Sequence, residues 1–264
     1  MRLSAYIGGI GVLGPGLHSW PHAAAVLSGL EPYLAAPTVL PTPAMLPPAE
    51  RRRTGRVVKL ALAVAVEATA SAGADPTLLP SVFSSSGSDG HICHEICQAL
   101  ALATREVSPT RFSNSVHNVA AGYWSIATGS MTESNVLCAF DASFIAGLLD
   151  ALTQVAVDRQ SVLLVAYDTE YPAPLHAKRP IPDALGVAMV LTPGRDATSK
   201  ARIDLTLTDE TCDSMSDLQL EALRRAIPAA RSLPLLRLLA IGAAGRAVLD
   251  YLDVSRAAVQ IEPC

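Results

Sequence analysis

Residues 134–147, Ser-Asn-Val-Leu-Cys-Ala-Phe-Asp-Ala-Ser-Phe-Ile-Ala-Gly, have the outline of a nucleophile turn, a short apolar strand running into a helix of small residues. Such a bend sets its corner side chain beside the unpaired N–H groups of a helix start, which favour negative charge and would stabilise a thiolate or an oxyanion. The corner residue here is Asp141. A carboxylate beside a helix N-terminus has its charged form stabilised, which makes it a weak nucleophile and a poor general acid. An acyl-aspartate would also be an anhydride, open to hydrolysis. The turn therefore predicts a fixed anion that supports its own loop, or a site across an interface, by charge and hydrogen bonding.

Three other patterns carry possible chemistry. The loop Ser84-Ser85-Ser86-Gly87-Ser88-Asp89-Gly90 lacks the Gly-x-Ser-x-Gly elbow of a serine nucleophile, and a turn whose glycines relax the backbone is the favoured reading. Ser86, Ser88 and Cys138 remain the alternative nucleophiles of a small acyl-transfer or hydrolytic enzyme, with His91, His94 and His117 as the available bases. His91-Ile92-Cys93-His94-Glu95-Ile96-Cys97 offers two histidines and two cysteines as possible metal ligands, but no second ligand pair completes a zinc site, so buried apolar cysteines with surface histidines are expected and no metal. Gly9-Ile10-Gly11-Val12-Leu13-Gly14 fits the dinucleotide pattern, yet Pro15-Gly16 spoils the helix start that would face a pyrophosphate, and Glu31 follows a helix rather than a second strand. Those glycines are read as close backbone packing, and no cofactor is expected.

The elements that must position these residues follow from periodicity. Leu3–Ile10 is strand-like, and Ser19 caps a helix to about Leu30, beyond which six prolines from Pro32 to Pro48 force an extended linker. Residues 55–72 repeat apolar positions at helical spacing and close at Gly73. Ser81-Val82-Phe83, Val136–Phe140, the uninterrupted apolar run 161–167, Ala184–Leu191 and Ala201–Thr208 read as strands. Helices are expected over Ile92–Thr104, Asn118–Thr128 and Ala142–Val155, and two apolar helices over residues 217–250. The alternation Arg202-Ile203-Asp204-Leu205-Thr206-Leu207 places that strand at a half-exposed sheet edge. The order of elements gives an α/β layered fold.

Composition narrows the function classes. With 264 residues, 50% hydrophobic and 17% charged, the chain can bury a large core. A net charge of −4 gives no footprint for nucleic acid. No run of eighteen uncharged apolar residues occurs, so no membrane insertion is expected; the glycine-rich start makes a poor export signal, and a cytoplasmic protein is expected. Five scattered cysteines fit reduced thiols.

From Arg111-Phe112-Ser113-Asn114-Ser115-Val116-His117-Asn118, through Ala120-Ala121-Gly122-Tyr123-Trp124, to Asp141-Ala142-Ser143, the chain resembles the β-ketoacyl synthase family of the thiolase fold. The opening strand Ala5–Gly16, the helix Arg56–Ala68 and the stretch Arg179-Pro180-Ile181-Pro182-Asp183 leading to Gly186 extend the resemblance from about residue 3 to residue 195. It implies a thiolase-like layered fold with a near-complete N-terminal half, residues 1–195, and a truncated remnant of the second half, residues 196–264.

Asp141 falls on the family's acylated cysteine. The family's condensation also needs two histidines from the second half, to stabilise enolate and thioester oxygens as charge develops. All six histidines here lie at or before His176, leaving the last 88 residues with none. The resemblance thus implies a non-catalytic subunit similar to the chain length factors of type II polyketide systems. Such a subunit pairs with a full-length β-ketoacyl-ACP synthase as a heterodimer, in contact with acyl carrier protein. Small chains of this kind accompany aryl polyene biosynthesis. Interface and acyl-tunnel positions implied by the resemblance are Asn114, Ser115, Val116, His117, Asn118, Val119, Tyr123 and Phe140, with no catalytic residue. A homodimeric carrier-binding scaffold is the remaining alternative.

Overall fold

The computed structural model describes residues 2–264. Eight strands form one mixed sheet: β1 (Arg2–Leu13), β2 (Ser81–Ser84), β3 (Ser134–Leu137), β4 (Val162–Asp168), β5 (Leu185–Thr192), β6 (Ala201–Thr208), β7 (Gly245–Leu252) and β8 (Ser255–Pro263). Their order is β3-β2-β4-β5-β1-β6-β8-β7. The pairs β2–β3 and β2–β4 are parallel, and all others are antiparallel. The helices are α1 (Trp20–Ser28), α2 (Pro48–Arg51), α3 (Arg56–Ala72), α4 (Gly90–Ala101), α5 (Pro109–Asn114), α6 (Val119–Thr128), α7 (Ser143–Asp158), α8 (Leu175–Lys178), α9 (Leu218–Ala226) and α10 (Leu233–Ile241).

Helices cover both faces. Core residues of α1, α7 and α10 gather on one side of the sheet and those of α3 and α6 on the other, so β4 and β5, apolar on both faces, are buried along their whole length. The glycines of β1 are what let α3 lie on it. A Cβ on Gly9 would stand 2.0 Å from the Ala68 carbonyl oxygen, and one on Gly11 2.1 Å from that of Val64. Helix caps follow sequence chemistry: Ser19 Oγ accepts the His22 N–H at 3.5 Å, and Gly73 closes α3 at φ +60°.

Three expectations need correction. The Arg202–Leu207 strand is not at an edge: β6 is paired by β1 on one side and β8 on the other. Its alternation reflects two unequal faces, and the buried Asp204 is satisfied by Arg2, Ser4 and Arg202. The helices of 217–250 stop at Ile241, because Gly242 takes the left-handed conformation at φ +67°, and residues 245–252 turn back as β7, which pairs with an unforeseen β8. Cys93 and Cys97 are exposed, since α4 lies on the surface and buries only Gly90.

The Phe140–Asp158 stretch is the one helical run among the described residues long and apolar enough to cross a membrane by length and composition, and half of it is buried inside the molecule as the α7 core helix.

Candidate functional site

The turn around Asp141 is built from strain and caps. Strand β3 ends at Leu137, three residues short of the expected Phe140, and Phe140 then adopts φ +52°, a left-handed geometry that costs a non-glycine residue about 1 kcal/mol or more. Ser143 holds the bend: its Oγ accepts the Ala139 N–H at 3.0 Å and donates to the Phe140 carbonyl at 2.7 Å. Asp141 sits in the 3₁₀ turn Phe140–Ala142, directly before α7.

Sequence reasoning set its carboxylate against the helix start, but no backbone N–H among the described residues donates to it. Arg179 Nη2 donates to Oδ1 at 2.6 Å and Arg231 Nη2 to Oδ2 at 3.0 Å. Two charge-assisted bonds outcompete the partial charge of a helix end. The same Arg179 guanidinium lies 3.8 Å above the Phe140 ring centroid, so one side chain holds both residues of the elbow.

A second aspartate supports the assembly from below. Asp168, at the buried end of β4, accepts the Ser86 N–H at 2.9 Å, the Ser86 hydroxyl at 2.5 Å and the Ala229 N–H at 2.9 Å. Burial pushes its carboxyl up to about 6, against the pull of the Ser86 and Ala229 donors. Ala229 and Arg231 belong to one 3₁₀ segment, Pro228–Ser232, which is therefore gripped by Asp168 at its start and by Asp141 further along. The serine-rich loop completes the cradle. Ser84 Oγ donates to the Ser143 carbonyl at 2.5 Å, and Cys138 Sγ to the Ser86 carbonyl at 3.3 Å.

The segment 114–123 meets this turn through the same loop. Ser88 Oγ donates to the carbonyls of Ser115 at 3.0 Å and Val116 at 3.4 Å. Asn114 is buried, donating to the Arg53 carbonyl at 2.6 Å and accepting the Tyr123 hydroxyl at 3.4 Å. Val119 and Tyr123 point into the core from α6, while Val116, Asn118 and Phe140 are exposed. His117 is half-buried, and its Nε2 is shielded from water without a partner.

The alternative nucleophiles are committed elsewhere. Ser86 donates to Asp168, Ser88 to two carbonyls and Cys138 to a third; none of the three hydrogen-bonds to a histidine among the described residues. No group of three or more His, Cys, Asp or Glu side chains there converges on a metal position. A cavity of about 700 Å³ lies far from this chemistry in sequence, between the end of β1, α3 and residues 39–45. Its Glu67 carboxyl is pushed up by burial but is already occupied, by the N–H groups of Val12 at 2.9 Å and Trp20 at 2.6 Å.

Sequence reading missed Asp168 and Arg231. A charged residue closing the otherwise apolar run 162–167 is the signal that marks Asp168; Arg231 carries none, since its partner is 90 residues away.

Known structures share this architecture. The ketosynthase ApeO in complex with its chain length factor ApeC from Xenorhabdus doucetiae contains a chain that superposes at TM-score 0.74 and 23% identity, covering 98% of this chain and 99% of that one. The ishigamide ketosynthase/chain length factor matches at 0.73 and 13%, covering 99% of each chain. The AntDE:AntF assembly, a type II polyketide acyl-carrier protein with its hexaketide-bound ketosynthase, matches at 0.77 and 10% over 100% of each. These likenesses establish a thiolase-like ketosynthase fold. No curated protein matches the sequence. The family model described as beta-ketoacyl synthase, N-terminal domain, matches residues 20–236, and the chain belongs to that family.

Proposed function

We propose that this chain is a non-catalytic, chain-length-factor-like subunit that pairs with a complete β-ketoacyl-ACP synthase and shapes its acyl tunnel in polyketide or aryl polyene synthesis. The observation that carries this reading is the state of the elbow. Its corner residue is a carboxylate locked between Arg179 and Arg231 rather than a free nucleophile beside a base. The complexes named above pair a ketosynthase with a chain length factor in two cases, and one includes an acyl-carrier protein. Residues 196–264 are read as the remnant of the second thiolase half, and the cytoplasm as the compartment.

The sheet edges support a partner on one side. At β7, Asp213 occupies the outer rim: its N–H donates to the Val248 carbonyl at 2.8 Å and its Oδ2 accepts the Val248 N–H at 2.8 Å. Edge β3 has no such cover among the described residues, and Phe112, Val116, Ile126, Met131 and Phe140, in the segment that leads into and out of it, are exposed. We assign the partner to this edge, with Ser115, Val116, His117, Asn118 and Phe140 as interface and tunnel wall and the buried Asn114, Val119 and Tyr123 as the support behind them.

Co-expression with a ketosynthase carrying its cysteine and both histidines, followed by gel filtration and product analysis, tests the reading. A heterodimer is expected, broken by Met131→Glu with Phe112→Glu, and Phe140→Ala is expected to lengthen the product. Condensation by the isolated chain, or a monomer that ignores the synthase at micromolar concentration, overturns it.

A further inference from the structure

We propose that the cavity in front of Asp141 is an anion site that takes a phosphate monoester dianion, with Asp141 acting as its built-in competitor. The cavity, about 190 Å³, is lined by Lys178, Arg179, Arg225 and Arg231 against the single carboxylate of Asp141, four positive charges against one negative. Arg225 and Lys178 have no ion-pair partner among the described residues. The nearby carboxylates Glu221 and Asp250 are committed to the buried Arg224, at 2.7 and 2.6 Å.

The guanidinium groups of this cavity already bind one oxyanion. Arg179 spends Nη2 on Asp141, while its Nε is shielded from water and meets no acceptor. A guanidinium presents its donors as a planar fork suited to paired oxygens, and the Asp141 carboxylate, held by Nη2 of Arg179 and Nη2 of Arg231, is an oxyanion already gripped in this way at the cavity wall.

Charge and size select the ligand. With a surplus of three positive charges, a monocarboxylate leaves two uncompensated and a dianion one, and tetrahedral oxygens accept donors arriving from several elements at once. The volume is well below the roughly 300 Å³ at which sites for drug-sized ligands begin, which suits a phosphate and the first atoms of its ester but neither a nucleotide nor an acyl chain. The inference concerns the chain by itself and does not depend on a synthase partner.

Isothermal titration of the full chain at low chloride, with inorganic phosphate and separately with methyl phosphate, tests it. Saturable binding of both shows that the site reads the phosphoryl oxygens and accepts an ester; binding of inorganic phosphate alone restricts the site to the free ion and overturns the ester assignment. Arg225→Gln and Lys178→Gln, at exposed positions, are each expected to weaken binding about fivefold. Asp141→Asn is expected to tighten it about tenfold by removing the competing charge. No saturable heat, or an Asp141→Asn chain that folds and binds phosphate no better than the parent, overturns the proposal. If Asp141→Asn does not fold, unchanged affinity in Arg225→Gln and Lys178→Gln overturns it as well.

Discussion

Asp141→Ala removes the acceptor of two charge-assisted hydrogen bonds and leaves Arg179 and Arg231 facing the same cavity. In a fully buried site each such bond contributes about 1.5–3 kcal/mol, whereas an exposed pair contributes under about 1 kcal/mol. The Asp141 side chain is 36% exposed and its partners 19% and 21%, which places each bond between these limits. About 1 kcal/mol per bond, plus a smaller cost for two uncompensated guanidinium groups, predicts a loss of about 2–3 kcal/mol. For a chain of this size that corresponds to a fall in Tm of about 4–10 °C. Asp141→Asn keeps one oxygen acceptor and is expected to lose about half as much.

Circular dichroism melts at low and at physiological salt measure the effect. A double-mutant cycle of Asp141→Ala with Arg231→Gln isolates the pair. The deficit persists at 0.15 M salt if the pairs are shielded as the structure has them, because a Debye length of about 8 Å screens exposed charges far more than half-buried ones. A melting temperature unchanged or raised in Asp141→Ala refutes the reasoning, since Asp141 would then be a tolerated remnant rather than a tie.

Asp168 makes stability depend on pH in the opposite sense from an ordinary ion-paired carboxylate. Its folded pKa, about 6, lies above the ordinary 3.8, so the folded chain holds this proton more tightly than the unfolded one. The stabilisation is complete below pH 3.8 and is lost as pH rises through about 6, up to about 3 kcal/mol. Urea unfolding between pH 4 and 8 should show that slope in the parent and not in Asp168→Asn; equal slopes refute it. Gly11→Ala drives a Cβ to 2.1 Å from the Val64 carbonyl and should abolish soluble folding or cost several kcal/mol, as expression yield and urea titration report. A fluorophosphonate or acyl-thioester probe should leave Ser86, Ser88 and Cys138 unlabelled, which mass spectrometry checks; labelling of any one would favour an acyl-transfer or hydrolytic enzyme.

Local chemistry was readable where one short segment decides it. Ser19, Gly73 and the apolar run of β4 fixed caps and a buried strand because each signal lies within a few residues of its effect. The bend at Asp141 was equally visible, being a strand, a corner and small residues in succession. Its partners were not, since Arg179 and Arg231 lie 38 and 90 residues away and only the tertiary fold brings them together. The C-terminal strands failed for another reason: residues 233–250 are apolar apart from Arg237, Arg246 and Asp250, and such a run does not distinguish helix from strand until Gly242 is recognised as the break. Cys93 and Cys97 were misplaced because the helical spacing of α4 says which residues share a face and nothing about whether that face meets the core.

The two rims of the sheet differ: Asp213 stoppers one, and among the described residues nothing caps the other at β3. A sheet that can be extended on one margin alone can recruit a single neighbour and then has nothing further to offer. Under the proposed pairing, growth would halt at a pair, and the same backbone groups that invite association would be spared from propagating it into a fibre.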